Sequence, residues 1–299
     1  MTHVVRYESH GTVRLGVLDD GAVRPIPGVD TMAALLALGL AEARTLVERA
    51  AGESPVPVGD VRLLPPVDGL TEVWASGVTY ERSMDARVEE SQTQDIYARV
   101  YAAERPELFF KSAAWRVVTD GDPIAIRPDS AVTVPEPELA VVVTATEEIF
   151  GYTVCDDVSS RDIEGENPLY LPQAKVYAGS CALATGIRPA WEVPDPAGLD
   201  IGVRVTREGA TVFEGTTSTG RMRRSLPDLV GHLVRGMGFP AGAVLSTGTG
   251  IVPDLDFTLV DGDVVTVTVE HVGTLTNPVG TLAAARAAAA RRVPAGAAR

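Results

Sequence analysis

The sequence predicts an α+β chain, mainly β, with a small N-terminal α/β domain. Three observations predict it. Short apolar runs such as Leu139-Ala140-Val141-Val142-Val143 and Val264-Val265-Thr266-Val267-Thr268-Val269 are bounded by turn residues, as strands are. Few stretches repeat apolar residues at the helical period. Glycine (29) and proline (21) are plentiful while aromatics make up only 5%, which calls for many turns and a core of Val, Leu and Ala.

Val13-Arg14-Leu15-Gly16-Val17-Leu18 alternates at the strand period, Asp19-Asp20-Gly21 turns the chain, and Val23 starts a return strand. Thr31 is the N-cap of a helix whose Met32, Leu35, Leu36, Leu40, Ala43, Leu46 and Val47 fall near the 3.6-residue period as far as Ala51. Gly52 to Pro57 breaks it, and Leu63-Leu64-Pro65-Pro66 reads as a connection between domains. This divides the chain into a small N-terminal domain at 1–65, a catalytic domain at 66–282 and an Ala/Arg-rich tail at 283–299, read as a fraying helix or disorder.

In the second domain, Tyr80 to Tyr101 lacks Gly and Pro and is rich in Glu and Arg, so it is expected to be helical and largely exposed. Ile149 to Val154 is a buried-type strand. Leu199 to Val212 holds two more strands around a turn at Glu208-Gly209, and Ser225 caps a helix running to Gly236.

The formal charge of −14 disfavours nucleic acid and anionic membranes as partners. No apolar segment reaches the ~20 residues of a membrane span. Two cysteines, Cys155 and Cys181, cannot form a Cys-rich metal cage; they read as reduced thiols of a cytoplasmic protein, with a single disulfide as the alternative.

The stretch Val134-Pro135-Glu136-Pro137-Glu138-Leu139 runs straight into an apolar strand. Residues two apart share a strand face, so Glu136 and Glu138 point the same way. A return turn centred on Thr146-Glu147 places Asp157 opposite Glu136. Three buried carboxylates need a cation, and hard oxygen ligands suit Mg²⁺, Mn²⁺ or Ca²⁺. A Glu-x-Glu pair alone also suits a solvated strand edge. The acidic, hydroxyl-rich Asp156-Asp157-Val158-Ser159-Ser160-Arg161-Asp162 at the end of a buried strand argues for a site. Arg161 and Asp162 are expected to brace that loop by an ion pair rather than touch substrate, and Arg221 to Arg224 to form a solvated helix start from which one Arg could reach a substrate carboxylate.

Pro-Glu-Pro-Glu-Leu at 135–139, Gly151-Tyr152-Thr153-Val154, Asp157 to Asp162, Gln173-Ala174-Lys175, Ser246-Thr247-Gly248-Thr249-Gly250 and Gly273 to Val279 follow one another in an order that resembles the fumarylacetoacetate hydrolase superfamily. The resemblance spans about residues 70–280. It implies that family's β-roll or sandwich, a homodimer or homotetramer, and a Mg²⁺ or Mn²⁺ site at Glu136, Glu138 and Asp157.

Superfamily members act on a 2-oxo acid chelated by the metal, and their hydrolases and decarboxylases carry a His with a Glu three residues later on a lid helix. The matching stretch here, Gly77-Val78-Thr79-Tyr80-Glu81-Arg82-Ser83, puts Ser83 and Ala86 in those places. That counts against C–C hydrolysis or decarboxylation of an acylpyruvate, which stands as the alternative; a non-catalytic binding module is the lesser one. Glu72-Val73-Trp74, Arg105-Pro106-Glu107-Leu108-Phe109-Phe110-Lys111 and Glu166-Asn167-Pro168-Leu169-Tyr170-Leu171-Pro172-Gln173-Ala174-Lys175 resemble the branch that dehydrates 2-keto-3-deoxy sugar acids. The resemblance implies a metal-dependent lyase turning 2-keto-3-deoxy-D-arabinonate into 2,5-dioxopentanoate through an enolate, with Glu107 and Lys175 as acid and base in either order. Ser76, Gly248 and Thr249 are candidate substrate contacts. Lys111, expected on the same strand face as Glu107, is placed to bind the substrate carboxylate or to pair with an acid.

Overall fold

The computed structural model describes residues 1–90, 94–254 and 256–290. Among them, twelve strands make one sheet and five make a second. Along its main path the large sheet runs Val56–Pro57, Ala22–Pro25, Thr12–Asp19, His3–Ser9, Gly186–Pro189, Ile149–Asp157, Pro137–Val143, Ala243–Ser246, Glu72–Gly77 and Glu107–Ala113. The small sheet runs Ala210–Ser218, Asp200–Arg207, Val264–Val269, Gly273–Thr281 and Ile124–Ile126.

The strand Pro137–Val143 is buried along its whole length, which explains its unbroken apolar run. Leu139, Val141 and Val143 pack into a core shared with Val203, Val205, Val265 and Val267 of the small sheet. Ala140 and Val142 join a second core with Leu35, Leu36, Phe150 and Val244. Glu136 and Glu138 continue the Ala140 side of the strand toward its open end. Sandwiching this strand fixes its register, because a slip of one residue would exchange the carboxylates with core side chains.

The hairpin pairs as its turn predicts, with Pro137 opposite Asp156 and Glu138 opposite Cys155. One step further, the Asp157 N–H donates to the Glu136 carbonyl at 2.9 Å. The turn at Glu208-Gly209 and the caps of Thr31 and Ser225 are also as expected.

Several expectations need correction. The N-terminal helix is two helices, Met32–Leu36 and Leu40–Arg49, because Gly39 adopts extended backbone and the Leu36 carbonyl turns to the Ala145 N–H. Arg62–Leu64 is a strand on His3–Ser9 rather than a connection. The Tyr80–Tyr101 stretch forms two helices, Glu81–Glu90 and Gln94–Ala102; among its described residues Tyr80, Ser83, Ala86 and Tyr97 are buried, while Glu81, Arg82, Asp85, Ala98 and Arg99 are exposed as expected. Arg221 and Arg223 are exposed as expected, but Arg223 also stacks on Tyr101 and Arg224 donates to the carbonyls of Ala103 and Glu104, which ties down the end of the second helix. The N-terminal strands are not a sheet apart. His3–Ser9 pairs directly with Gly186–Pro189. Of the Ala/Arg tail, Leu282–Ala290 is helical with Ala285 and Ala288 buried, and 291–299 lie outside the described residues.

Candidate metal centre

One oxygen from each of Glu136, Glu138 and Asp157 lies within 4.8 Å of the others, and all three residues are buried. Hairpin register alone brings them together: Asp157 faces Glu136 across the ladder, and Glu138 is two residues along the same face. Their partners come from elsewhere. Glu138 Oε2 accepts from Ser246 Oγ at 2.5 Å and from the Gly248 N–H at 2.7 Å. Gly248 adopts φ +92, and a methyl group on it would lie 2.0 Å from Thr79 Oγ1, so glycine is required for that N–H to reach the carboxylate.

Two buried lysines flank the triad. Lys175, at the end of the helix Leu171–Lys175, donates to Glu136 Oε2 at 2.7 Å and Ser159 Oγ at 2.5 Å, with Asp157 Oδ2 at 3.4 Å and Glu164 Oε1 at 3.7 Å. Lys111 pairs with Asp157 Oδ1 and donates to the carbonyls of Val158 and Lys175. Lys111 sits at a bulge: Trp74 pairs with Phe110 and Val73 with Ser112, which leaves Lys111 without a ladder partner. Bulges beside sites re-aim side chains in this way.

Burial pushes the Glu138 carboxyl well above its usual range, and the charges on Asp157 and Glu136 push it further. Behind the triad, Asp156 accepts from the Glu136 N–H at 2.9 Å. Burial, aided by the Asp157 charge, raises its pKa to about 7 despite that hydrogen bond. Such crowding of like charge away from water is relieved by a divalent cation, and an all-oxygen ligand set fits Mg²⁺, Mn²⁺ or Ca²⁺.

A narrow cleft opens on the triad. Its lining includes Ser76, Gly77, Phe109, Lys175, Gly248 and Thr249, with Ser83 and Ala86 in its wall. Ser83 Oγ donates to the Tyr80 carbonyl at 2.8 Å and accepts from its N–H at 3.3 Å, so the hydroxyl is engaged within its own helix turn. Ser76 also donates to the Glu107 carbonyl at 3.0 Å. Lys111 is not among the cleft-lining residues. Glu107 lies against Gly77, so closely that a methyl group there would meet its carboxylate at 2.1 Å, and lines an adjoining cavity with Glu164, Tyr97 and Arg105.

Arg161 donates to the Pro253 carbonyl at 2.7 Å and lines the cleft, while Asp162 accepts from Ser130 Oγ at 2.6 Å and the Ala131 N–H at 2.8 Å. Cys155 and Cys181 are free and buried. Sequence reasoning did not single out Ser159 or Glu164. The signal available for Glu164 was its spacing of three from Arg161, which puts both on one helix face.

The profile of the "Fumarylacetoacetate (FAA) hydrolase C-terminal" family matches residues 72–280. A 2-dehydro-3-deoxy-D-arabinonate dehydratase of Saccharolobus solfataricus is 46% identical over 226 residues, which are 74% of this chain and 76% of that protein. A probable 2-keto-3-deoxyxylonate dehydratase of Haloferax volcanii is 45% identical over 247 residues, 80% of this chain and 85% of that one. A solved 2-keto-3-deoxy-D-arabinonate dehydratase complexed with magnesium and 2,5-dioxopentanoate superposes with a TM-score of 0.79 and 37% identity, covering 94% of this chain and 99% of its own. Profile, sequence and superposition agree, and the chain belongs to the fumarylacetoacetate hydrolase family.

Proposed function

We propose that this chain is a divalent-metal-dependent dehydratase of a 2-keto-3-deoxy sugar acid, converting 2-keto-3-deoxy-D-arabinonate to 2,5-dioxopentanoate and water. The observation that carries this reading is the Lys175 ammonium seated on the carboxylate triad, in a cleft whose wall offers Ser83 and Ala86 in place of a water-activating His and Glu. The likeness to two dehydratases at 45–46% identity supports it.

Glu136, Glu138 and Asp157 would hold the cation. A divalent cation there polarises the carbonyl of a 2-oxo acid and acidifies its C3 protons. Lys175 and Glu107 divide the proton transfers: one takes a proton from C3, the other gives one to the departing C4 hydroxyl. The C3–C4 double bond so formed gains a proton at C3 as C5 loses one, and the resulting C4–C5 enol ketonises to the aldehyde. Ser76 and Thr249 border the substrate, and Gly248 acts on it through Glu138. In this reading Lys111 serves the metal site through Asp157.

Residues 66–282 carry this chemistry, and residues 1–65 extend its sheet. Among the described residues no helix is long and apolar enough to cross a membrane. The family resemblance supports a cytoplasmic homodimer or homotetramer, which sedimentation analysis tests.

The functional test is mass spectrometry of products from 2-keto-3-deoxy aldonates and acylpyruvates, with Mg²⁺ and with EDTA. Metal-dependent loss of one water from a five-carbon acid is the expected result. Cleavage of an acylpyruvate with the sugar acids untouched would return the chain to hydrolysis.

A further inference from the structure

Among the described residues, Lys175 Nζ stands within ion-pair reach of Glu136 at 2.7 Å, Asp157 at 3.4 Å and Glu164 at 3.7 Å. The first two belong to the ligand triad and the third does not. A carboxylate oxygen that turns its lone pair to a divalent cation cannot direct the same lone pair at an ammonium, and the cation repels the ammonium besides. In the loaded site Lys175 therefore gives up much of its hold on Glu136 and Asp157.

Glu164 is built to take it over. It lies on the helix Arg161–Glu166 that follows the metal loop, and it is 2% exposed against 1% for Lys175, so water does not compete for the contact. The main chain of Lys175 is pinned, because its carbonyl accepts from both Lys111 Nζ at 2.7 Å and Ser180 Oγ at 2.8 Å. What moves the ammonium is then the set of groups around the side chain. Glu164 also lines the adjoining cavity together with Glu107, the other residue given a proton transfer.

We propose that Glu164 is a positioning residue: it holds the Lys175 ammonium when Glu136 and Asp157 turn their oxygens to a divalent cation. The inference rests on the reading of Lys175 as a group acting at the substrate.

The test is a double-mutant cycle on the whole chain, read by calorimetric titration with Mg²⁺ alone. In Glu164→Gln the ammonium leans harder on the ligand carboxylates, and Mg²⁺ binding weakens about tenfold. Lys175→Met binds Mg²⁺ more tightly than the wild type, and adding Glu164→Gln to it changes the affinity by less than about twofold. Equal weakening in both backgrounds would mean that Glu164 acts on the cation directly, and would overturn the proposal. Kinetics give the second readout. Glu164→Gln lowers kcat about a hundredfold with KM within about threefold, and Glu164→Asp recovers part of the loss; a KM effect alone would also overturn it. Should Glu164→Gln fail to fold, Glu164→Asp carries both measurements, with a smaller shift in the same direction. If the wild type dehydrates no sugar acid, the functional reading falls while the Mg²⁺ cycle still decides this one. A wild type that dehydrates, with coupling absent from the cycle, sinks this inference alone.

Discussion

Lys111 reaches Asp157 only because the strand Glu107–Ala113 bulges at Lys111, which turns a fully buried ammonium onto a metal-ligand carboxylate. Removing one partner of a buried pair leaves the other charge uncompensated. Lys111→Met should cost about 3–5 kcal/mol of stability without added metal. Mg²⁺ should restore part of it, since the cation supplies the missing charge. Denaturant unfolding of both proteins with and without Mg²⁺ checks this; equal stabilities would mean that the pair contributes nothing.

Ser246 touches the metal site through Glu138, donating to the oxygen that also receives the Gly248 N–H. Ser246→Ala should leave the fold intact and weaken Mg²⁺ binding about tenfold, as loss of a group orienting a ligand does. Calorimetric titration measures it, and an unchanged affinity would show that the N–H orients Glu138 by itself.

Gly248→Ala should be worse. The substitution meets both a left-handed backbone and the side chain of Thr79, and it drags the N–H away from Glu138. The expected cost is about 1–3 kcal/mol in stability, with weaker metal binding. Thr79→Ala in the same chain should recover only the steric part, which thermal melts resolve.

Asp162 gives the fold an acid limb. Burial pushes its carboxyl up, but the hydrogen bonds from Ser130 and from the N–H groups of Ala131, Ile163 and Val132 outweigh that and hold it below the usual carboxylate range. A depressed pKa adds stability that is present above the unfolded-state value and is lost as pH falls toward the folded one. Asp162→Asn should therefore lower the melting temperature at neutral pH and close the gap with the wild type in acid. Melts between about pH 3 and 7 test the sign.

The carboxylate triad was legible because it depends on two local rules, the alternation of a strand and the centre of a turn, and the two-sided burial of Pro137–Val143 leaves no other register. What surrounds it was not legible. The part of Lys111 depends on a bulge, which one extra residue creates and which no period in Glu107–Ala113 announces. Glu164 owes its place to a six-residue helix, whose single signal in the sequence is the spacing of three from Arg161. The break at Gly39 was hidden because the apolar spacing runs on across it, while Leu36 and Leu40 find partners around Ala145 and Glu148 far along the chain. The strand Arg62–Leu64 ends against two prolines and owes its pairing to His3–Ser9.

The pairing of Val4 with Ile187 and of Val73 with Val244 also sets an order on synthesis. A ribosome releases the first strand long before Gly186–Pro189, so Val4 and Val5 wait unpaired on the edge whose other end Arg62–Leu64 covers. The triad strands emerge together, but the Ser246 and Gly248 that steady Glu138 emerge about a hundred residues later. The nascent chain thus carries its cluster of acids unsupported for much of its elongation, and divalent ions in the surrounding solution are placed to act as folding ligands before they act in catalysis.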